Sequence, residues 1–168
     1  MGKAAIAMGK VAMLKRGVKF LLISFLVLSC GAGSVFNQVD KINNQSWQEN
    51  DTKEYNVPLS DTENGYDILF HLRNTHNYDY RNIWFFVETT APGGQSLRDT
   101  VEFFLADEAG NWLGKGLGNY NTMMLVYKQN VRFPSTGIYT FKIQHAMREK
   151  ELKNISDVGL QIRKTKYN

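Results

Sequence analysis

From residue 52 onward, hydrophobic and polar side chains alternate with a period of two residues, and this pattern limits the chain to β-structure. Six segments carry it, KEYNVPL, YDILFHLRN, SLRDTVEFFLA, MMLVYKQNV, GIYTFKIQHAM and DVGLQIRK, and NIWFFVETT is a seventh candidate strand. Turn-forming sequences such as APGG, DEAGNW and PSTG separate several of them. Short strands at this spacing predict an all-β fold, an antiparallel β-sandwich of about seven or eight strands.

Two segments depart from simple alternation. NIWFFVETT, residues 82–90, is apolar on both faces, which predicts an inner strand of a sheet. Residues 146–152 lack the alternation and predict one short helix.

The first 29 residues have a different composition from the rest. They contain five Lys and Arg residues and no Asp or Glu, and removing them changes the net charge from +4 to −1. The basicity of the whole chain therefore gives no support to a nucleic-acid partner. A basic stretch followed by the nine apolar-rich residues 20–28 predicts a cleaved secretory signal, since a membrane-spanning helix needs roughly 20 residues.

Cys30, the single cysteine of the chain, follows this apolar run directly. It cannot form an internal disulfide, which leaves a free thiol, an intermolecular bridge, a metal ligand or a lipid attachment point. The sequence VLSC before and at the cysteine resembles a bacterial lipobox, in which the cysteine becomes the acylated first residue of the mature protein. The predicted organisation is a lipoprotein signal peptide at 1–29, a lipidated cysteine and flexible tether at 30–51, and the β-sandwich at 52–168.

The sequence holds no coherent set of catalytic residues. The loop GNWLGKGLG, residues 110–118, has three residues between Gly110 and Gly114, whereas a P-loop requires four before its Gly-Lys pair. Asp99 and Glu102 differ by an odd number of positions, so they are predicted on opposite faces of one strand rather than across a cleft. A hydrolase that uses one of these carboxylates is one alternative function, beside the two binding functions described next. If Asp99 is buried, it needs a partner, for which Arg132 or the backbone of Arg98 is expected.

The candidate binding residues are Arg98, Asp99, Trp112, Lys115 and Arg132. Aromatic side chains also exceed what one core face requires, and those predicted to be exposed are Tyr78, Tyr80, Trp84, Phe86 and Phe104. They favour either a protein interface or a carbohydrate-binding platform. The three histidines lack the close ligand spacing of a zinc site. We therefore predict a protein that is not an enzyme, with no catalytic residues, cofactor or metal.

Three segments together closely resemble the gliding-motility lipoprotein family GldH of Bacteroidetes: RDTVEFFLADEAGNWLGKGLGN, YKQNVRFPSTGIYTFKIQHAMR and ISDVGLQIRK. The resemblance runs from about Trp47 to Lys164. It implies a cell-envelope lipoprotein that works with the gliding-motility and type IX secretion machinery, and it implies no catalytic residues. Of the residues named so far, only Cys30 acquires a role from it, as the lipidation site.

The residues after Cys30 indicate to which membrane the lipoprotein is attached. An inner-membrane retention signal has Asp directly after the lipidated cysteine, and this chain has Gly31 there. A surface-export signal resembles a run of acidic residues after the cysteine, and residues 31–34 contain none. We expect attachment to the outer membrane through acylated Cys30, facing the periplasm. The expected partners are membrane lipid and other gliding or secretion proteins of the envelope, without nucleic acid.

Overall fold

The computed structural model describes residues 33–165, which fold into antiparallel β-sheets. The strands are β1 (Ser34–Lys41), β2 (Ser46–Gln48), β3 (Lys53–Leu59), β4 (Tyr66–Thr75), β5 (Asn82–Thr90), β6 (Ser96–Phe104), β7 (Lys115–Leu117), β8 (Tyr120–Val131), β9 (Gly137–His145), β10 (Glu151–Lys153) and β11 (Ile155–Lys164), with a 3₁₀ turn at Asn43–Gln45. No helix between residues 33 and 165 is long and apolar enough to cross a membrane.

Two larger sheets form the layers of the sandwich. One has five strands in the order β1-β11-β4-β8-β7, and the other has four in the order β3-β9-β5-β6. Strands β2 and β10 pair separately as a short ribbon. The predicted all-β sandwich is confirmed, and all seven segments predicted as strands are strands. The predicted inner position of residues 82–90 is also confirmed, because β5 lies between β9 and β6.

The core lies between the inner faces of the two sheets, and Phe70 on β4 is near its centre. The Phe70 ring is fully buried and contacts Phe85 and Phe103 of the opposite sheet, with ring centroids 5.6 Å and 6.0 Å away. It also stacks on Tyr127 of the neighbouring strand at 5.1 Å. Such aromatic contacts combine a large buried area with preferred geometry, so this cluster fixes the two sheets against each other.

The structure corrects the predicted tether at residues 30–51 for the part that it describes, which begins at residue 33. Residues 34–48 form β1, the 3₁₀ turn and β2, and β1 pairs with β11 over nearly its whole length. The segment looks polar because β1 is an edge strand with mostly exposed side chains. Two aromatic residues nevertheless attach it to the core: Phe36 packs on Tyr55 at 6.3 Å, and the buried Trp47 packs on Phe85 at 5.6 Å. The folded domain therefore includes residues well before position 52.

The short helix predicted at 146–152 is wrong. Residues 147–150 form bends, and Glu151–Lys153 is strand β10 paired with β2. Leu152 lies opposite Trp47 in this ribbon, and both side chains are buried. Burial of this pair outweighs the local preference of so short a segment.

Candidate functional site

The predicted binding residues do not form one compact site. Arg98 and Asp99 lie on β6, and adjacent residues of a strand point to opposite faces. Lys115 on β7 pairs with Thr122 at the beginning of β8. Asp99 contacts Lys128 of the same strand β8. Lys128 is six residues beyond Thr122, so the Asp99 and Lys115 contacts are about 20 Å apart along β8 at the usual rise per strand residue. Arg132 is exposed just after the end of β8.

Asp99 has a structural environment that differs from the expected one. Lys128 Nζ lies 2.6 Å from Asp99 Oδ2, and the Tyr127 hydroxyl donates a hydrogen bond to the same oxygen. The Lys128 and Tyr127 hydrogen bonds hold the pKa of Asp99 below its usual value. Burial, together with Asp99, raises the pKa of Tyr127. The partner expected for Asp99, Arg132 or the Arg98 backbone, is therefore wrong, because Lys128 and Tyr127 take that place.

Glu102 lies on the other face of β6. The β5–β6 ladder has no register shift between Ser96 and Phe104, so no bulge turns Glu102 toward Asp99. Its Oε1 accepts a hydrogen bond from Asn82 Nδ2 at 2.5 Å. The two carboxylates do not face a common cleft.

Trp112 and Lys115 belong to the Gly-rich connection between β6 and β8. Trp112 forms a bridge with Ala106 and packs, half-buried, against the hydrophobic core. The Leu113 N–H donates to the Leu105 carbonyl at 2.9 Å, which folds the connection back on the end of β6. Lys115 is exposed on β7. This geometry gives Trp112 a packing role and leaves Lys115 accessible.

The outer side of the four-stranded sheet carries a larger accessible feature. We call it the aromatic face, and it consists of Trp84, Phe86 and Phe104 with Arg81 and Arg98. Trp84 is 37% and Phe104 49% exposed. The Arg98 guanidinium lies 4.6 Å from the Phe86 ring centroid, and that of Arg81 lies 5.4 Å from Phe104. These distances allow cation–π attraction, so the arginines cover the rings without burying them.

The alternation pattern placed Trp84, Phe86 and Phe104 outward, and the structure agrees. Tyr78 was also expected to be exposed, and this is wrong. It is 5% exposed, with its ring 5.6 Å from that of Tyr80 and its hydroxyl donating to the Asn82 carbonyl at 3.1 Å. Tyr78 therefore stabilises the loop before β5 and is not available on the protein surface.

An open groove of about 550 Å³ adjoins the aromatic face, and we call it the Trp84 groove. Its lining combines apolar and hydrogen-bonding side chains: Tyr80, Asn82, Trp84, Ala146, Met147, Arg148 and Glu149. The Trp84 N–H donates to Met147 Sδ at 3.4 Å, which holds the bend after β9 beside β5. The sequence pattern does not predict this groove, because it predicts a helix at residues 146–152, where the structure has bends and strand β10.

A second cavity, of about 600 Å³, lies at the end of the five-stranded sheet beside the 3₁₀ turn. The Arg73 guanidinium stacks over Tyr120 at 5.1 Å, and its Nη1 is 3.8 Å from Asp157 Oδ2. Gln45 Nε2 donates to the Tyr120 hydroxyl at 3.0 Å. Of the charged residues at this cavity, Arg73 and Asp157 therefore pair with each other, and Lys41 has no ion-pair partner among residues 33–165.

Cys30 lies outside the described residues, so its lipidation stays a prediction. Among residues 33–165, no three His, Cys, Asp or Glu side chains are placed to share a metal ion. His71 bonds Asn37 at 3.0 Å, and His145 is buried with its ring 5.3 Å from that of Trp47. Both contacts are structural.

Comparison with known proteins gives consistent results. The model of the family described as GldH lipoprotein matches residues 34–162. The "Gliding motility lipoprotein GldH homolog" of Christiangramia forsetii is 31% identical over 153 residues, which span 87% of this chain and 93% of that protein. The "Gliding motility lipoprotein GldH" of Flavobacterium johnsoniae is 29% identical over 149 residues, which span 84% of this chain and 92% of that protein. With matches that extend from β1 through β11, this chain belongs to the GldH lipoprotein family.

Proposed function

We propose that this protein is an outer-membrane-anchored lipoprotein and a non-enzymatic component of the bacterial gliding motility and type IX secretion machinery. The observation that carries the proposal is the family match over residues 34–162, together with two relatives that are named gliding motility lipoproteins and are covered almost end to end. The role is contact with other envelope proteins. Deletion of the gene should abolish gliding, or secretion through the type IX system in a strain that does not glide, and normal behaviour of both would refute the role.

The anchor in this proposal is an acylated Cys30. Each buried CH₂ of an acyl chain contributes about 0.8 kcal/mol, so two or more chains hold a domain at a membrane durably. Cys30→Ser should accumulate as an unprocessed and mislocalised precursor. Normal processing and normal membrane association of this variant would refute lipid anchoring. Protease added to intact cells should leave the protein uncut, since we propose that it faces the periplasm.

The aromatic face supports a role in protein contact. Aromatic and Arg side chains are enriched in protein interfaces and dominate their binding energy, and the aromatic face presents both kinds. Trp84→Ala combined with Phe104→Ser should abolish recovery of gliding or secretion proteins from solubilised membranes. Val126→Ser is the matched control, because Val126 is 47% exposed on the other sheet.

A carbohydrate-binding module is the second candidate, and the Trp84 groove favours it. The groove sets the rings of Tyr80 and Trp84 beside Asn82, Arg148 and Glu149, which donate and accept hydrogen bonds. Titration with peptidoglycan fragments and a glycan array tests this candidate. Binding that is lost in Trp84→Ala and kept in Leu117→Ala would establish it, and no binding by the wild-type protein would remove it.

A further inference from the structure

We propose that strand β6 pairs with β6 of a second copy of this chain, which joins two four-stranded sheets into one of eight strands. Strand β6 is nine residues long and ends the four-stranded sheet, pairing only with β5 among the described residues. Its ladder with β5 is regular throughout. A regular strand with a row of free backbone groups is a template for another strand. The inference does not depend on the proposed role in gliding.

The other sheet edges each carry a feature that opposes strand addition. Strand β1 has a register shift between Ser34 and Phe36, β3 contains Pro58, and β7 has only three residues. The part of β8 that β7 leaves uncovered has two register shifts between Val126 and Val131. Bulges, proline and short length are the usual protections of an exposed edge. Strand β6 has none of these features. Its inward-facing charge, Asp99, is neutralised by Lys128.

The sequence of β6 is self-complementary in antiparallel orientation. A two-fold axis at Thr100 places Arg98 opposite Glu102 of the second copy, and the same pair forms again on the other side of the axis. Arg98 and Glu102 both lie on the outer face of the sheet, and neither has an ion-pair partner within residues 33–165. Opposite charges at directly facing positions stabilise a strand pair. An isologous dimer uses each such pair twice.

The same register covers exposed apolar side chains. Leu97, which is 57% exposed, lies opposite Phe103 of the second copy, and Phe104, which is 49% exposed, lies opposite Ser96. The extent of the pairing is also defined, because the Leu113 N–H already bonds the Leu105 carbonyl just beyond Phe104. The nine residues Ser96–Phe104 are therefore available. The competing occupant of this edge is an extended segment of a different protein. The crosslinking experiment below distinguishes it from a second copy of this chain.

Cysteine crosslinking of the full-length protein in membranes tests the register. In the proposed dimer the two Thr100 Cα atoms face each other at about 4.5–5.5 Å, within the range of about 4.4–6.8 Å that a disulfide spans. Thr100→Cys should therefore form a disulfide-linked dimer on mild oxidation. Ser96→Cys is the matched control, since Ser96 is an exposed residue on the same face of β6. In the dimer the two Ser96 residues are offset by eight positions, about 26 Å, so this variant should not crosslink. The wild-type chain controls for any crosslink through Cys30.

Charge reversal tests the self-complementarity in the Thr100→Cys background. Arg98→Glu or Glu102→Arg alone creates two facing like-charged pairs and should weaken dimerisation about tenfold. The double variant restores both pairs with the charges exchanged and should recover the wild-type yield. Circular dichroism melting confirms that each variant is folded.

Two results would overturn the proposal. One is equal crosslinking of Thr100→Cys and Ser96→Cys, which would contradict the register, or no crosslinking of either variant, which would favour another protein as the partner of this edge. The other is a charge-reversed single variant that crosslinks as efficiently as the parent.

Discussion

Lys128 Nζ lies 2.6 Å from Asp99 Oδ2 and joins the edge strand of one sheet to a strand of the other. The Tyr127 hydroxyl bonds the same carboxylate, while its ring stacks on Phe70 in the core. The contact therefore links the side of the sandwich between β6 and β8 to the central aromatic cluster. It also engages the Asp99 carboxylate, which a hydrolase using Asp99 would need for its reaction.

Asp99→Asn should destabilise the domain by about 1 kcal/mol at neutral pH, because the ion pair is partly exposed and partly screened. Urea unfolding measures the change. A double-mutant cycle with Lys128→Met should give a coupling energy, whereas independent effects of the two substitutions would contradict the pair.

The pH dependence of this pair has a definite sign. Because the folded-state pKa of Asp99 is lowered, its contribution is present above the unfolded-state value of about 3.9 and is lost as the pH falls through the folded-state value. The difference in stability between wild type and Asp99→Asn should therefore shrink in acid. A difference that is constant from pH 7 down to pH 3 would contradict the assignment.

Phe70→Ala should lower stability by about 3–5 kcal/mol, since it leaves a cavity where four aromatic rings meet. Thermal and urea unfolding measure the loss. Leu117→Ala is the control, because that side chain is 75% exposed and its removal should change stability little. Similar effects of the two substitutions would contradict the position of the core.

Gly159→Ala should loosen strand β1. A Cβ at position 159 would contact the Gln38 carbonyl and would come within 2.9 Å of Val39 Cα, so the edge strand must move outward. Hydrogen exchange of the amides of residues 34–41 should accelerate. Gly116→Ala is the control, because its nearest neighbour would be 3.6 Å away. Rapid exchange of these amides already in the wild type would restore the interpretation of this segment as a tether.

His145 should make the domain less stable in mild acid. Burial lowers the pKa of His145, although Glu49, the Trp47 backbone and Glu149 act in the opposite direction. The unfolded chain binds a proton near pH 6.5 that the folded chain resists, so stability falls as the pH drops below about 6.5. Unfolding at pH 7.5 and pH 5.5 measures this loss. His145→Phe should reduce it, and His76→Gln, at an exposed position, should not.

Where the alternation is complete, the sequence predicts the structure well. Tyr139, Phe141, Ile143 and His145 on β9 all point inward and are buried, as their period of two indicates. The odd spacing of Asp99 and Glu102 likewise places them on opposite faces, which the regular β6 ladder maintains. Period-two patterning works here because a sandwich buries one face of each strand.

Prediction fails where the stabilising contacts are distant in sequence. Strand β1 mixes polar and apolar residues on both faces, so it lacks a period-two pattern. Its attachment depends on the contact of Phe36 with Tyr55 and on its ladder with β11. The partner of Asp99 is 29 residues away on the other sheet, so no local pattern identifies it. The Trp84 groove forms because Met147 meets the backbone of Trp84, 63 residues earlier. Contacts of this kind are set by the arrangement of the sheets.

In-cell photo-crosslinking from position 84 tests the central claim most directly, namely that this lipoprotein works by contacting envelope proteins through its aromatic face. A photoreactive amino acid replaces Trp84 in one strain and Val126, on the opposite sheet, in the control strain, and mass spectrometry identifies the adducts. We predict that position 84 captures a gliding or type IX secretion component and that position 126 does not. Equal capture of such a component from both positions, or none from position 84, would contradict the claim.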